Sequence, residues 1–344
     1  MTGLNNLFYE LMSLIMSLLM SFGAIAVPGT SDLIRTMNDA AELQFVVTGD
    51  PQVCSYNPER EANLIAAASD LKNAEIDLDA FVAAGDIAEN GLQAEFDRVY
   101  ADICDIPADN FIMAAGNHDI RLREYEQCKK TICDFMNALN DGKNPQTELH
   151  YEYDINGYKF LVIASDDASF EEAFISSAQL QWLNLALKKY TKSGDPVFVI
   201  THYPLAESHG LPNTWGSSNS TPTEGLAEYV RKDSYDFTGS IGEQSNDIYD
   251  VISKYNNVFF ITGHLHTGFG YYTYQTINEK NNVQGINVPS VSINNKDGVY
   301  NNPATGLYVE VTEDEVTFYA RDFAEGRFLS TSEFGEAVKT YKLK

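Results

Sequence analysis

Basic residues are scarce in this chain. Lys and Arg number 23 against 49 Asp and Glu, a formal net charge of −26 over 344 residues. Neutralising a phosphate backbone takes many cations, so a nucleic-acid polymer is not expected as a partner. A small phosphate ester stays open, because bound metal ions bring their own positive charge. The bland reading of the acidity is solubility. Cysteine is scarce as well. Cys54, Cys104, Cys128 and Cys133 form no C-x-x-C pair, which argues against a cysteine zinc site. In an oxidising compartment Cys104 can pair with Cys128 or Cys133; the alternative is four free thiols. No repeat, low-complexity tract or long linker splits the chain, so 27–344 reads as one domain.

What is present begins with an uncharged, mostly apolar run, Leu11–Val27. Ala24-Ile-Ala26 is a small-x-small site directly before Val27-Pro28-Gly29. This pattern predicts a secretory signal over 1–26, cleaved after Ala26, and hence a secreted or extracytoplasmic protein. The stretch before it has no Lys or Arg, and Glu10 has the wrong sign. An uncleaved membrane anchor is therefore the alternative, and a buried N-terminal helix the bland one. Asn219-Ser-Thr221 is a glycosylation sequon, meaningful only in a eukaryotic secretory route.

Five short apolar stretches share one kind of ending. Phe45–Val47 runs into Thr-Gly-Asp50-Pro-Gln52, and Phe81–Ala84 into Gly85-Asp86. Phe111–Ala115 leads to Gly-Asn117-His118-Asp119. Val197–Ile200 ends in Thr-His202, and Val258–Ile261 in Thr-Gly-His264-Leu-His266. In open α/β sheets, ligands collect beyond the carboxyl ends of strands. Carboxylates, imidazoles and amide oxygens at five such ends point to a polynuclear site for Mn²⁺, Fe, Zn²⁺ or Mg²⁺. Two ions need a shared carboxylate, and Asp86 is the candidate. Such a pair stabilises the attacking and leaving oxygens of an in-line displacement and activates a bridging water near neutral pH.

The remaining pattern alternates helices and strands. Helices are expected near Glu59–Glu75 (inner face Ala62, Ile65, Ala68, Leu71), Ala94–Cys104 (Phe96, Val99, Tyr100, Ile103), Leu122–Asn140, Ser177–Lys192 and Gln244–Tyr255. Gly194 is the expected C-cap after the fourth. His150–Ile155 and Tyr158–Ile163, joined at Asn156-Gly157, read as a hairpin. Four strands near Tyr271–Thr276, Gly285–Ile293, Gly306–Thr312 and Val316–Arg321 are expected to form a closing antiparallel meander.

Asp50-x-Gln52, Gly85-Asp86, Gly116-Asn117-His118-Asp119, His202 and Gly263-His264-x-His266, in this order, resemble the calcineurin-like metallophosphoesterase superfamily. The resemblance runs from about Leu43 to Phe323 and includes Gln179-Leu-Gln-Trp-Leu183. It implies an α/β fold of two packed mixed β-sheets flanked by helices, a four-layer α-β-β-α sandwich. It implies metal site one at Asp50, Gln52, Asp86 and His266, and site two at Asp86, Asn117, His202 and His264. His118 would contact the phosphate and help the leaving group. Glu89 would partner His118, although the family usually has Asp there. Gln52 stands where the commonest pattern has His, which bears on metal preference.

The implied activity is hydrolysis of a phosphate mono- or diester by hydroxide bridging two divalent ions. A nucleotide or phospholipid phosphodiesterase is the alternative enzyme. A metal-stabilised surface binding module without turnover is the alternative from another class. The partner is a small phosphate ester; no stable protein partner is inferred. Four of the six histidines lie in these motifs. His150 reads as structural. His209 and Trp215 lie in the irregular segment Leu205–Thr223, as candidates for touching substrate or for packing that loop.

Overall fold

Strands buried on both faces need a second sheet on one side and helices on the other, and the apolar spacing here supplies both. The structure is a computed structural model that describes residues 32–168, 173–206, 208, 241–292 and 298–344. Segment 1–26, the sequon, His209 and Trp215 lie outside the described residues. Residues 33–344 form one compact unit. Among the described residues no helix is long and apolar enough to cross a membrane.

The first sheet contains β1 (Leu43–Thr48), β2 (Ala80–Ala83) and β3 (Phe111–Met113), all parallel. The second is built on β4 (Tyr151–Ile155), β5 (Tyr158–Val162), β6 (Val197–Ile200), β7 (Val258–Thr262), β8 (Tyr274–Asn278) and β9 (Val283–Asn287). Its order is β4-β5-β6-β7-β9-β8, with β4 and β8 antiparallel to their neighbours. The chain then returns to the first sheet. β10 (Thr305–Val311) pairs antiparallel with β1, and β11 (Glu315–Asp322) with β10. β12 (Arg327–Phe328) and β13 (Val338–Lys342) both pair with β11. Both sheets are mixed, as the resemblance implied.

Period-two alternation builds two cores. Phe160, Phe198 and Phe259 face inward with Phe45 of β1. Phe45 meets Phe160 and Phe198 edge-on at 5.2 and 5.1 Å between ring centres, and Phe160 stacks on Phe198 at 5.0 Å. The alternate residues Leu161, Val199 and Phe260 face outward, under helices carrying Leu183, Leu187, Ile248 and Ile252. Each such side chain, fully buried, contributes roughly 1.5–3 kcal/mol relative to exposure.

The helices are α1 (Pro58–Lys72), α2 (Gln93–Ile103), the single turn α3 (Asn117–Ile120), α4 (Tyr125–Leu139), α5 (Ser177–Tyr190), α6 (Ser245–Ile252) and the turn α7 (Thr331–Phe334). Two inner faces differ from expectation. On α1 the buried stripe is Leu64, Ala67, Ala68 and Leu71, while Ala62 and Ile65 are exposed. Leu64 takes the core position that Ile65 was expected to fill, and Arg60, one turn before it, turns inward with it. On α2 Tyr100 lies at the exposed edge of the stripe.

Two further differences concern the closing strands and the turn after α5. The closing strands are no simple meander: β8 and β9 end the second sheet, and Val288–Val291 crosses to the first. That crossing bonds both sheets, Val288 N to Thr262 O and Val291 N to Gly49 O, which holds it between the strand ends. The helix before Gly194 stops at Tyr190, so Gly194 (φ 91°) belongs to the following turn. Of the two readings of the cysteines, the structure has the second: all four are free thiols. Cys128 and Cys133 lie on the buried face of α4, where both sit among apolar neighbours.

Candidate metal centre

Three donor-bearing loops leave the first sheet and two leave the second, and they meet at one edge of the sandwich. Asp50 and Gln52 follow β1, Asp86 follows β2, and Asn117 opens α3 after β3. His202 follows β6; His264 and His266 follow β7. All seven are buried. The turns are tight. Asp50, Gln52, Asp86, His264 and His266 have left-handed backbones, with φ of 52°, 42°, 51°, 73° and 50°. Such values in non-glycine residues persist only where the surroundings over-determine them.

Two motif glycines make room. A Cβ on Gly85 would sit 2.5 Å from the His202 ring, and one on Gly116 2.1 Å from Asp86 Oδ1. The backbone also holds the loops. Gln52 N donates to Asp86 O at 2.8 Å, His118 N to Asp86 Oδ1 at 2.9 Å, and His264 N to Asp50 Oδ1 at 2.9 Å. Asp119 accepts from Ile87 N, Ala88 N and Gly116 N, which ties the β2 loop to α3.

The donors form two groups with one shared member. Asp86, His202 and His264 offer ligand atoms within 4.8 Å of one another, and so do Asp50, Asp86 and His266. Gln52 Nε2 donates to Asp86 Oδ2 at 3.0 Å. Among the described residues, Asp50 Oδ2 and Gln52 Oε1 are buried and take no hydrogen bond. Unsatisfied buried acceptors are costly, and a cation satisfies them. His202 donates from Nδ1 to Ala84 O at 2.9 Å, which turns Nε2 toward Asp86 Oδ2 at 3.2 Å and His264 Nδ1 at 2.9 Å. That is how a metal-binding imidazole is fixed.

The electrostatics agree. Burial opposes charge on Asp86, but His202 and His118 outweigh it and hold the carboxyl well below its usual range. Burial likewise opposes charge on His202, yet Asp86 pushes it up to about 9. His264 is driven well down, by burial and then by His202. The carboxylates thus favour a protonated imidazole in the cluster, and divalent ions would displace that proton. These residues fit a dinuclear site: oxygen and nitrogen donors, grouped by threes, around one shared carboxylate.

His118 stands at the rim of this cluster. Its Nε2 lies 3.9 Å from Asp86 Oδ2, and its Nδ1 lies 2.9 Å from Glu89 O and 3.3 Å from Glu89 Oε2. Arg121 Nη2 is 2.8 Å from the same Nδ1. Nδ1 either donates to Glu89 or accepts from Arg121; both arrangements leave Nε2 toward the donors. Burial lowers the His118 pKa, but Asp86 and Glu89 raise it above its usual value. Burial raises Glu89, but His118 and Arg60 bring it below its usual value.

The sequence model of the calcineurin-like phosphoesterase family matches residues 43–268. The chain belongs to this family. It is a metal-dependent hydrolase of phosphoric esters, and its relatives in structure share its fold. A dimetal phosphatase from Danio rerio matches with a TM-score of 0.56 at 13% identity, over 82% of this chain and 97% of that one. A purple acid phosphatase from yellow lupin (Lupinus luteus) seeds matches with a TM-score of 0.51 at 14% identity, over 87% of this chain. The match spans only about half of the lupin chain, 53%. No curated protein matches the sequence.

Within the phosphoesterase, all nine sequence-derived candidates among the described residues converge on this edge. His150 does not: its ring packs on Trp182 at 5.3 Å, and Nδ1 lies 3.8 Å from Asp166. Sequence reasoning missed three neighbours of the centre. Tyr203, fully buried, sets its ring edge-on to His202 at 5.1 Å. Arg121 follows His118 by three residues, a spacing that signals a shared helix face. Arg60 had no such signal, because its partner Glu89 is 29 residues away.

Proposed function

We propose that the chain hydrolyses a small phosphate monoester or diester with two divalent ions held by these two groups. Site one would take Asp50, Gln52, Asp86 and His266, and site two Asp86, Asn117, His202 and His264. Bound ions supply Lewis acidity and a nucleophilic water at neutral pH. The observation that carries this reading is the pair of donor groups sharing Asp86, with His118 Nε2 only 3.9 Å from that carboxylate. An ester phosphate seated on the ions would have its leaving oxygen within reach of Nε2. His118 then donates a hydrogen bond or a proton there as the bond to phosphorus breaks. Glu89 orients the ring from the Nδ1 side.

A full donor set with His118 present favours turnover over a surface module that has lost catalysis. The test is hydrolysis of chromogenic mono- and diesters by protein reconstituted with Mn²⁺, Fe²⁺ or Zn²⁺. We expect turnover, with His118→Ala keeping both ions and losing most activity on poor leaving groups. Two bound ions and no turnover of any ester would favour the binding module. We also propose export, with 1–26 removed, on the apolar run and the Ala24-Ile-Ala26 site. N-terminal sequencing should begin at Val27; a mature form retaining Leu11–Ala26 would mean an anchor.

A further inference from the structure

Arg60 joins two loops that the reaction needs. It stands in the first turn of α1, largely buried, and its Nη1 donates to Gln52 O at 3.3 Å and to the Glu89 carboxylate. Gln52 belongs to the β1 loop and Glu89 to the β2 loop. Those loops are already laced by their backbones: Gln52 N to Asp86 O, Val53 N to Ile87 O, and Glu89 N to Val53 O. The backbone therefore holds its course without Arg60. What Arg60 adds is the position of one side chain. Glu89 Oε2 is shared between Arg60 and His118 Nδ1, whereas Arg121 Nη2 lies 3.8 Å from Oε1. Without Arg60, Glu89 Oε2 loses the guanidinium that fixes it beside His118 Nδ1. Arg121, whose Nη2 lies 2.8 Å from that Nδ1, draws the carboxylate through its other oxygen, so the Oε2–Nδ1 contact is no longer held in place.

We propose that Arg60 is a positioning residue for catalysis, acting through Glu89 to hold the His118 ring toward the leaving oxygen. The inference rests on the phosphoesterase reading above. Its distinguishing mark is that it affects turnover more than binding, and leaves the metal ligands alone. A guanidinium suits this place because its planar head fixes the directions in which Nη1 reaches both acceptors; an ammonium keeps the charge with looser geometry.

The test uses the metal-loaded full chain with Arg60→Met, Arg60→Lys, Glu89→Gln and the double variant Arg60→Met/Glu89→Gln. In Arg60→Met both ions should remain, kcat should fall about 10- to 100-fold, and KM should stay within about twofold. The loss should be larger for an alkyl phosphate than for p-nitrophenyl phosphate, whose leaving group needs little help. Arg60→Lys should recover most of kcat. The double variant should be no slower than Glu89→Gln, since coupled residues are not additive. A multiplicative double variant, a lost ion, or a raised KM with kcat intact would overturn the proposal. Orthovanadate affinity reads the same geometry without turnover and should weaken about tenfold in Arg60→Met. Unchanged vanadate affinity with both ions bound would overturn it too. A parent that binds vanadate and turns over no ester would instead refute the hydrolytic reading alone.

Discussion

Gln52 is the residue at which this centre departs from the commonest pattern of its family, and its surroundings say what it can do. Its amide nitrogen is engaged by Asp86 Oδ2, and its amide oxygen is buried and takes no hydrogen bond among the described residues. A neutral oxygen donor at site one shifts that site toward harder ions such as Mn²⁺ or Mg²⁺, relative to imidazole. Gln52→Ala should weaken one of the two ions by about 10- to 100-fold and leave the other. Gln52→His should tighten Zn²⁺ at that site and make its retention more sensitive to acid, because an imidazole must shed a proton to bind. Chelator-competition titrations of both variants read this directly. Unchanged metal affinities with an altered KM would move Gln52 from the metal to the substrate. Legibility is good at this scale: the motifs named the residues that meet at this edge. The left-handed backbones of Asp50, Gln52, Asp86, His264 and His266 were not legible, since none is glycine and only the folded surroundings enforce them.

At the scale of elements, periodicity found the helices and misjudged where two of them face. The contact between α1 and α2 carries a consequence of its own. Asp102 on α2 is half-buried, and its Oδ2 is buried without a hydrogen bond among the described residues. Burial first, and repulsion from Glu61 on α1, push its carboxyl up to about 6 against an ordinary 3.8. The folded pKa is raised, so Asp102 costs nothing while protonated in both states, below about pH 4. Stability is lost as pH rises from there through about 6. Asp102→Asn removes that loss. Urea unfolding should show no difference from the parent near pH 4 and a gain of about 1 kcal/mol at pH 7–8, after discounting for solvent screening. An equal gain at both pH values would assign the effect to packing instead of charge. Helix existence was readable because apolar spacing is local. The choice of Leu64 over Ile65 was not, because it depends on what the sheet offers opposite.

At the scale of the molecule, the metal centre lies on the seam between the sheets. Asp50, Asp86 and Asn117 come from the first sheet, and His202, His264 and His266 from the second. Ions bound there would tie the two halves together in the folded state and have no such set of donors in the unfolded chain. Chelation should therefore lower the unfolding midpoint. Returning Mn²⁺ at a hundredfold excess over its Kd should restore about 2.7 kcal/mol per site. Calorimetry with and without chelator measures this, and a midpoint indifferent to metal would show that the seam holds by packing alone. The aromatic core of Phe45, Phe160, Phe198 and Phe259 is the part that stays in either case.

The sequence by itself determined the chemistry. Asp50, Asp86, Asn117, His118, His202, His264 and His266 stand at the ends of apolar runs, and strand ends are where an α/β sheet gathers its ligands. It also determined the strands, because alternation and turn residues act over a few neighbours. The tertiary structure decided what depends on distant partners. It split the last strands between two sheets and left all four cysteines as thiols. It brought Arg60, 29 residues from Glu89, into the bond that bears on His118. Long-range pairs leave no periodic trace in a chain; only folding sets their distance.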